Sequence, residues 1–345
     1  MQACSPSRVA ACFRLNFLKR ESLQQRISYR VIMGSRLCAF AVWLFSAVFS
    51  YAGQQAPYRA EVNLVNITAV VHSSEGKLIT NQNKDDFELS EDGVPQTIRF
   101  FARESELPLS LGLIVDVSGS QEKFLKRHDH DIETFLKTVI RPSDELFAVC
   151  FGNHLRLVSA GTSSVPGIMQ GFQRFPKEMA RFPEIGPHED RDLGTALYDA
   201  IYFSIVEKIK AAGERRRALI VFSDGEENSS EHDLLDAIAA AQDTDTLLYC
   251  IRYTHKEHGQ LSARNKYGVR VMDHLATLTG GAHYDGLATH LETVFGQIGD
   301  ELRAMYEFGY VSNNSTIHDG SFRKLTIRCK APGAIVRSKS GYYAR

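Results

Sequence analysis

The stretch LSLGLIVDVSGS, residues Leu109 to Ser120, decides the fold class of this chain. Its apolar run lacks the polar alternation of a half-exposed strand, which predicts a strand buried on both faces, as in a parallel sheet covered by helices. The run ends in Asp116, Ser118 and Ser120. An aspartate at the end of a buried strand is costly unless its charge is compensated, so the candidates are a hydrogen-bonded turn, a nucleophile or a metal site.

Apolar runs and helical stretches continue to alternate as far as Tyr306. The further strand-like runs are Glu145–Gly152, Leu155–Ala160, Arg217–Asp224, Thr246–Tyr253 and Gly281–Gly286. The helical stretches include Gln121–Ile140, Thr195–Ala211, Ser230–Gln242 and His290–Tyr306. This order predicts a doubly wound α/β domain over residues 109–306, with a mostly parallel sheet and helices on both of its faces.

Two β segments flank the α/β pattern in the sequence. Residues 57–105 alternate apolar and polar positions around turn signals, and residues 307–345 return to the same pattern. Neither segment has enough strands to bury a core alone. We therefore expect them to pack together as one β-sandwich-like unit, with two separate β additions to the α/β core as the alternative.

A long connection, Ser159–Gly194, contains four prolines and no sustained period. We expect it to be mostly irregular, with at most one short helix.

The N-terminus resembles an export signal. Arg36 precedes a short apolar stretch that ends in Ser50-Tyr51-Ala52, the small-residue pattern of a cleavage site. We expect residues 33–52 to be a signal peptide that starts at Met33, and residues 1–32 to be an upstream extension. The protein is then exported to the periplasm, the cell surface or the medium. A retained membrane anchor is the alternative, because the stretch is a little short for a span.

The composition argues against nucleic acid as a partner and against a disulfide framework. The formal net charge is -1, and no long Lys/Arg run is present, so nucleic acid is not an expected partner. Of the six cysteines, three fall in the predicted mature chain at scattered spacings, which does not indicate a disulfide framework. Cys150 and Cys250 lie inside strand-like runs and are expected to be buried core residues.

Two more polar segments are expected at the edge where Asp116 emerges. Asp224 ends another apolar strand and is followed by Gly225, and Thr195 follows Gly194 at the start of a helix. Ligands of doubly wound sheets bind outside the carboxyl ends of the strands. Asp116, Ser118, Ser120, Thr195 and Asp224 together supply only hard oxygen donors, which suit Mg²⁺ or Mn²⁺. The alternative is structural: Ser118, Ser120 and Thr195 cap helices and Asp224 makes an Asx-turn.

Three motifs, D-x-S-x-S ending at Ser120, G-T ending at Thr195 and S-D-G ending at Gly225, resemble the von Willebrand factor type A (VWA) domain with its metal-ion-dependent adhesion site. The flanks Asp86–Ser120 and Phe322–Arg345 look like the VWFA-related family described from acidobacterial genomes. The resemblance implies that the five oxygen-bearing residues bind the ion directly or through water. It also implies that an acidic side chain of a protein partner completes the coordination.

Other polar clusters compete for a role. We expect His128–Asp131 to be a solvated helix face rather than a metal site, since successive helical residues point in different directions. We interpret His188–Asp190 as an ordinary polar loop, although it could line the rim of the site. We interpret Glu226 and Glu227 as a solvated turn, although they could tune affinity for the cation or disfavour an acidic partner. Asp199 shares a helix face with Thr195 and is expected at most to support the site from below.

The first hypothesis is therefore an exported, non-enzymatic VWA-type module for metal-dependent adhesion or protein binding. The second is an assembly subunit whose metal only stabilises the fold. The third, a hydrolase with Ser118 as nucleophile, is disfavoured because no G-x-S-x-G elbow surrounds that serine. Membrane contact is expected only if the N-terminal stretch is retained as an anchor.

Overall fold

A six-stranded sheet forms the centre of the computed structural model, which describes residues 64–103, 107–187, 194–256, 258–314 and 319–344. In spatial order its strands are β10 (Ala282–Asp285), β9 (Thr246–Arg252), β8 (Arg216–Ser223), β5 (Leu109–Asp116), β6 (Glu145–Phe151) and β7 (Leu155–Thr162). All neighbours are parallel except β6 and β7. Every residue of β5 is buried, as its uninterrupted apolar run predicts.

Helices cover both faces of this sheet. They are α1 (Leu125–Val139), α2 (Val165–Glu178), α3 (Leu197–Ser204), α4 (Leu234–Asp243), α5 (Ala263–Thr279) and α6 (Leu291–Arg303). One buried cluster joins α1, α2 and α6 to the sheet, and a second joins α3, α4 and α5 to it. The predicted doubly wound, mostly parallel α/β fold is confirmed.

The flanking segments form two four-stranded sheets. Their remaining strands are β1 (Leu64–His72), β2 (Phe87–Glu91), β3 (Val94–Gln96), β4 (Ile98–Arg103), β11 (Tyr306–Val311), β12 (Phe322–Cys329), β13 (Ile335–Ser338) and β14 (Gly341–Tyr343). The sheet orders are β13-β1-β11-β4 and β14-β12-β2-β3, so each sheet mixes strands from both ends of the chain. The shared sandwich is confirmed, and the alternative of two separate β additions is wrong.

Aromatic side chains fill the space between the two sandwich sheets. Phe87 of β2 packs edge-on against Phe308 of β11, with ring centroids 4.9 Å apart, and Tyr306 lies 5.0 Å from Phe87. Phe101 of β4 joins the same cluster. Neither flank contains all these rings, which explains why each needs the other to bury its apolar face.

A buried ionic cluster fastens the sandwich to the α/β domain. Glu301 of α6 lies 3.0 Å from His72 Nε2 of β1 and also pairs with Arg337 of β13. The hydroxyl of Tyr249 in β9 donates to the same carboxylate at 2.8 Å. Burial raises the pKa of Glu301, but these partners outweigh it and leave the pKa below its usual value.

Two helices depart from the sequence-based expectations. The connection Ser159–Gly194, expected to be mostly irregular, contains the 14-residue helix α2. The Ser164 side chain caps α2 by accepting from Gly167 N, and proline occupies its first turn, where no N–H is needed. The 17-residue helix α5 was not among the predicted helices, although Ser262 caps its start and Gly280 ends it at φ 88°.

Cys150 and Cys250 are buried in β6 and β9, as predicted. No helix within the described ranges has the length and apolar character needed to cross a membrane. The predicted extension and signal peptide, residues 1–52, lie outside the described residues, as does His188–Asp190.

Candidate metal centre

Asp116 lies at the carboxyl end of β5 with none of its surface exposed. Its Oδ2 accepts a hydrogen bond of 2.6 Å from the Ser223 hydroxyl at the end of β8, and its Oδ1 accepts one of 2.9 Å from Ser118 N. Strands β5 and β8 are parallel neighbours, with Val115 opposite Phe222. The sheet register therefore brings the ends of these two strands together, as the sequence predicted.

Asp224 follows β8 directly and is also buried. Its Oδ1 accepts from Glu226 N at 3.0 Å, and its Oδ2 accepts from Gln121 Nε2 at 2.7 Å. Gln121 belongs to the 3-10 turn Gly119–Phe124, which follows the D-x-S-x-S motif. A single side-chain amide thus ties the first motif to the third.

The two serines of the first motif face each other. Ser118 Oγ lies 3.2 Å from Ser120 Oγ, and Ser120 is exposed to solvent. Ser118 precedes the 3-10 turn, but its side chain makes no capping hydrogen bond there. The helix-capping alternative is therefore wrong for Ser118, and its hydroxyl is oriented towards the second serine.

Thr195 joins the same edge through backbone contacts. Thr195 N donates to Asn228 Oδ1 at 2.7 Å, and Asn228 N donates to Thr195 O at 3.2 Å, which ties the second motif to the loop after Asp224. Ala196 N donates to Gly152 O at 3.1 Å. Gly152 in turn lies next to Ser118: a Cβ added to Gly152 would be 3.7 Å from Ser118 N, an ordinary van der Waals distance. All three motifs are thus joined by direct contacts or through one intervening residue.

Of the structural alternatives for Thr195 and Asp224, the helix cap is wrong and the Asx-turn is confirmed. Helix α3 begins after Ala196, which has no side-chain capping bond, so Thr195 is not its N-cap. Asp224 does make the predicted Asx-turn with Glu226 N, and Asp116 makes a similar one with Ser118 N. These turns do not exclude a metal, since each carboxylate oxygen has a second lone pair.

A close backbone approach holds Asp224 in place from below. Gly225 adopts φ 79°, and a Cβ there would lie 2.3 Å from the carbonyl oxygen of Gly268 in α5. A Cβ on Gly268 would lie 2.3 Å from Asp224 O. Both positions therefore require glycine. The close approach of α5, a helix that was not predicted from the sequence, fixes the position of Asp224.

The two aspartates are poorly compensated. Burial, followed by the nearby charge of Asp224, raises the pKa of Asp116 to about 7. Among the described residues, neither Asp116 nor Asp224 forms an ion pair with a lysine, arginine or histidine. Two buried carboxylates without a cation are costly unless a positive ion lies between them. The residues present therefore fit a hard divalent cation.

The types of side chain at this edge of the sheet limit which metal ions suit the site. The described residues contain no cluster of three or more His, Cys, Asp or Glu side chains that could hold a metal. Beside the two carboxylates, the oxygen-bearing side chains of the three motifs are hydroxyls. Such a donor set suits a hard divalent cation.

Gln121 and Asn228 are the site residues that sequence reasoning missed. Gln121 is buried, donates to Asp224 and to Tyr253 O at 3.2 Å, and leaves its Oε1 without a partner. Its position directly after the D-x-S-x-S motif was the available signal. Asn228 lies three residues after Gly225 in a polar loop, where nothing in the sequence marks it.

Glu226 and Glu227 are not a solvated turn, and that interpretation is wrong. Glu226 is buried, with Arg264 Nε 2.8 Å away and Asn265 Nδ2 donating at 3.2 Å. Its pKa is raised by burial and then by Asp224. Glu227 accepts from Ser230 Oγ at 2.7 Å and from the N–H of Tyr198, in the first turn of α3, at 3.1 Å.

Asp199 anchors the loop behind the site. It is fully buried, and it accepts from Glu231 N at 3.1 Å and from His232 N at 3.0 Å. The His232 ring lies 2.8 Å from the same carboxylate and stacks on Tyr202 with centroids 3.7 Å apart. The loop that carries Asn228 is therefore fixed to α3.

The His128–Asp131 face is only partly solvated, so the expectation was wrong for two of its residues. Asp129 and His130 are exposed, but His128 and Asp131 are buried. Asp131 accepts from the Tyr253 hydroxyl at 2.7 Å. His128 packs against Tyr253 with neither ring nitrogen hydrogen-bonded, and burial lowers its pKa to about 4.

Comparison with known proteins gives distant structural likenesses. No family model and no curated protein matches the chain. A von Willebrand factor type A structure from Catenulispora acidiphila is 10% identical, covers 82% of this chain and 75% of that one, and superposes with a TM-score of 0.42. BatB from Bacteroides thetaiotaomicron is 14% identical over 56% of this chain and 98% of that one, with a TM-score of 0.41.

A third similar structure is the manganese-loaded TRAP protein of Plasmodium vivax. It is 11% identical, covers 70% of this chain and 98% of that one, and has a TM-score of 0.39. Likenesses this distant do not transfer residue roles, so those roles depend on the contacts of this chain itself.

Proposed function

We propose that this chain is a VWA-type module that binds a protein partner through a divalent cation, Mg²⁺ or Mn²⁺. The ion is held by five residues, Asp116, Ser118, Ser120, Thr195 and Asp224. The observation that carries the proposal is the pair of buried carboxylates, Asp116 and Asp224, that meet no basic side chain in the described part of the chain. The convergence of the three motifs supports it.

The donor set suggests how a partner is engaged. The two carboxylates match the charge of a divalent ion, and the hydroxyl ligands are neutral and bind the ion weakly. The ligands of this chain therefore add no excess negative charge, so the ion can still bind a further anionic oxygen. Ser120 is exposed, which leaves the solvent side of the site accessible. A carboxylate from a protein partner completes the coordination. The bound ion supplies electrostatic attraction, and the protein residues position it.

The cellular location and the family of the chain are part of the same proposal. We assign the chain to exported proteins on the signal-like stretch that ends at Ala52, and to the VWFA-related family on its two β flanks. It acts in adhesion or protein binding and catalyses no reaction. Against the hydrolase alternative, the Ser118 hydroxyl lies 3.2 Å from that of Ser120, and no histidine of the described residues is hydrogen-bonded to it.

Calorimetry with the purified chain tests metal binding. Titration with Mg²⁺ and Mn²⁺ should show one site, and Asp224→Asn should abolish it because it removes one of the two balancing charges. Asp300→Asn is the matched control, because Asp300 is exposed on α6, away from the motifs. Binding that is unchanged in Asp224→Asn would exclude the site.

A second experiment separates partner binding from a purely stabilising metal. EDTA should abolish the capture of an acidic peptide, and it should also lower the melting temperature because it removes the ion that compensates Asp116 and Asp224. A large fall in melting temperature, together with no metal-dependent capture, would instead favour the assembly-subunit alternative.

A further inference from the structure

Helix α5 presents two exposed side chains beside the candidate metal centre. Arg264 and Tyr267 are three residues apart and therefore share a face of this helix. The Arg264 side chain is 63% exposed, and its Nε lies 2.8 Å from Glu226, two residues after Asp224. Tyr267 is 48% exposed, and its hydroxyl lies 3.5 Å from that of Tyr198, which follows the Thr195 motif. Both side chains thus stand at the rim of the site.

Most of the Arg264 guanidinium is available to a partner. Within the part of the chain that the structure describes, its contact is through Nε to Glu226. A guanidinium carries five N–H donors in a planar fork, so the contact through Nε leaves the four donors of the two terminal nitrogens unused by Glu226. Arginine binds carboxylates through such paired donors more specifically than lysine does.

We propose that Arg264 and Tyr267 make the site a two-point recognition surface for an acidic segment of a protein partner. One carboxylate of the segment binds the metal, a second binds the terminal nitrogens of Arg264, and the chain between them packs on Tyr267. The inference rests on the proposed function and adds a specificity element to it. Tyrosine and arginine are enriched among the residues that dominate binding at protein interfaces.

Charge on the Arg264 side of the rim favours an acidic partner over a basic one. The negative charge of Glu226 is already compensated by Arg264. Lys256 and Lys266 are exposed on the segment that leads into α5 and in its first turns, and His255 is exposed beside Lys256. Glu257 lies outside the described residues. These positive groups belong to the same segment as Arg264, whereas Glu227 and Asp233 place negative charge near Tyr198, so an acidic segment is favoured on the Arg264 side of the rim.

Labelled Gly/Ser peptides are the test. One series carries a single aspartate, and another carries two aspartates separated by one to five residues, each measured by fluorescence polarisation in Mg²⁺. With the wild-type chain, the best two-aspartate peptide should bind about tenfold more tightly than the one-aspartate peptide, as expected for one added charge-assisted pair. Arg264→Gln should bring this ratio close to one while Mg²⁺ binding is retained.

Two further variants separate the guanidinium from general charge. Arg264→Lys keeps the charge but loses the fork, so it should give an intermediate ratio. Arg270→Gln removes a positive charge from an exposed position of the same helix and should retain the wild-type ratio. Tyr267→Ala should weaken the two-aspartate peptides more than the one-aspartate peptide.

The possible failures are distinguishable. A wild-type ratio near one, or a ratio that survives in Arg264→Gln, would overturn the two-point surface and leave metal-dependent binding intact. If the one-aspartate peptide binds equally well in EDTA and to Asp224→Asn, the proposed function itself fails. A phosphoserine peptide that binds in an Arg264-dependent manner more tightly than every two-aspartate peptide would overturn the choice of an acidic segment.

Discussion

The side-chain amide of Gln121 donates to Asp224 Oδ2 at 2.7 Å and to Tyr253 O at 3.2 Å. Both amide hydrogens are thereby used, and the orientation of the Asp224 carboxylate is fixed by a residue that lies 103 positions earlier in the chain. Groups that orient metal ligands from outside the coordination sphere are important for affinity. Gln121 is therefore expected to be a positioning residue for the ion.

Gln121→Leu should weaken Mg²⁺ binding about tenfold or more, the typical cost of losing such an orienting group. Calorimetry measures the affinity, and a melting curve reports whether the variant remains folded. Gln170→Leu, at an exposed position of α2, is the control and should bind like the wild type. Equal affinities for Gln121→Leu and the wild type would show that the amide has no positioning role.

The contact between α5 and Asp224 predicts a contrast between two glycines. Gly268→Ala would place a Cβ 2.3 Å from Asp224 O, so α5 must shift, at a cost of about 1–3 kcal/mol of unfolding free energy. Gly296→Ala on α6 meets nothing within 4 Å and should stabilise the helix by about 0.5–1 kcal/mol. Urea unfolding measures both. We also expect weaker Mg²⁺ binding for Gly268→Ala alone, and a neutral Gly268→Ala would contradict the packing described here.

Buried, neutral His128 predicts a pH dependence of stability. Burial lowers its pKa from 6.5 to about 4, so folding favours the uncharged ring. Its contribution is complete above pH 6.5, the value in the unfolded chain, and is lost as the pH falls towards 4. Between pH 7.5 and pH 5 the loss amounts to about 2 kcal/mol of unfolding free energy.

Urea unfolding of wild type and His128→Leu at these two pH values, both in EDTA, measures this contribution. The wild type should lose about 2 kcal/mol more than the variant on acidification. His130→Leu removes an exposed histidine of the same helix and should behave like the wild type. Parallel losses in all three proteins would show that His128 is not buried in its neutral form.

The Glu301 cluster predicts that the sandwich and the α/β domain depend on each other. Glu301→Gln removes the buried charge that His72 and Arg337 share, which leaves the half-buried guanidinium of Arg337 without its carboxylate. Breaking a buried pair in this way costs about 3–5 kcal/mol. The exposed pair of Arg174 and Glu178 on α2 is the control, because Glu178→Gln should change the stability little. Thermal melting of both variants compares the two pairs.

Features with a strong local signal were predictable from the sequence. The β5 run ends in buried Asp116 because an apolar strand without alternation needs cover on both faces. The two flanks combine into one sandwich because neither has enough strands to bury its own apolar residues. The converging motifs follow from the rule that ligands gather at the carboxyl edge of such sheets.

Other features depend on tertiary contacts that no local pattern encodes. His128 occupies a helix position that reads as polar, and only the approach of Tyr253 and Phe222 makes that position buried. Glu226 follows a turn signal, yet α5 covers it with Arg264. The helix α5 itself was missed because polar residues interrupt its apolar face, although its start and end carry recognisable caps.

Anomalous diffraction from crystals of the chain grown with Mn²⁺ tests the central claim most directly. One strong peak is expected at the carboxyl edge of the sheet, bordered by Asp116, Ser118, Ser120, Thr195 and Asp224. A structure with Mn²⁺ bound elsewhere, or with no peak between Asp116 and Asp224 at saturating Mn²⁺, would contradict it.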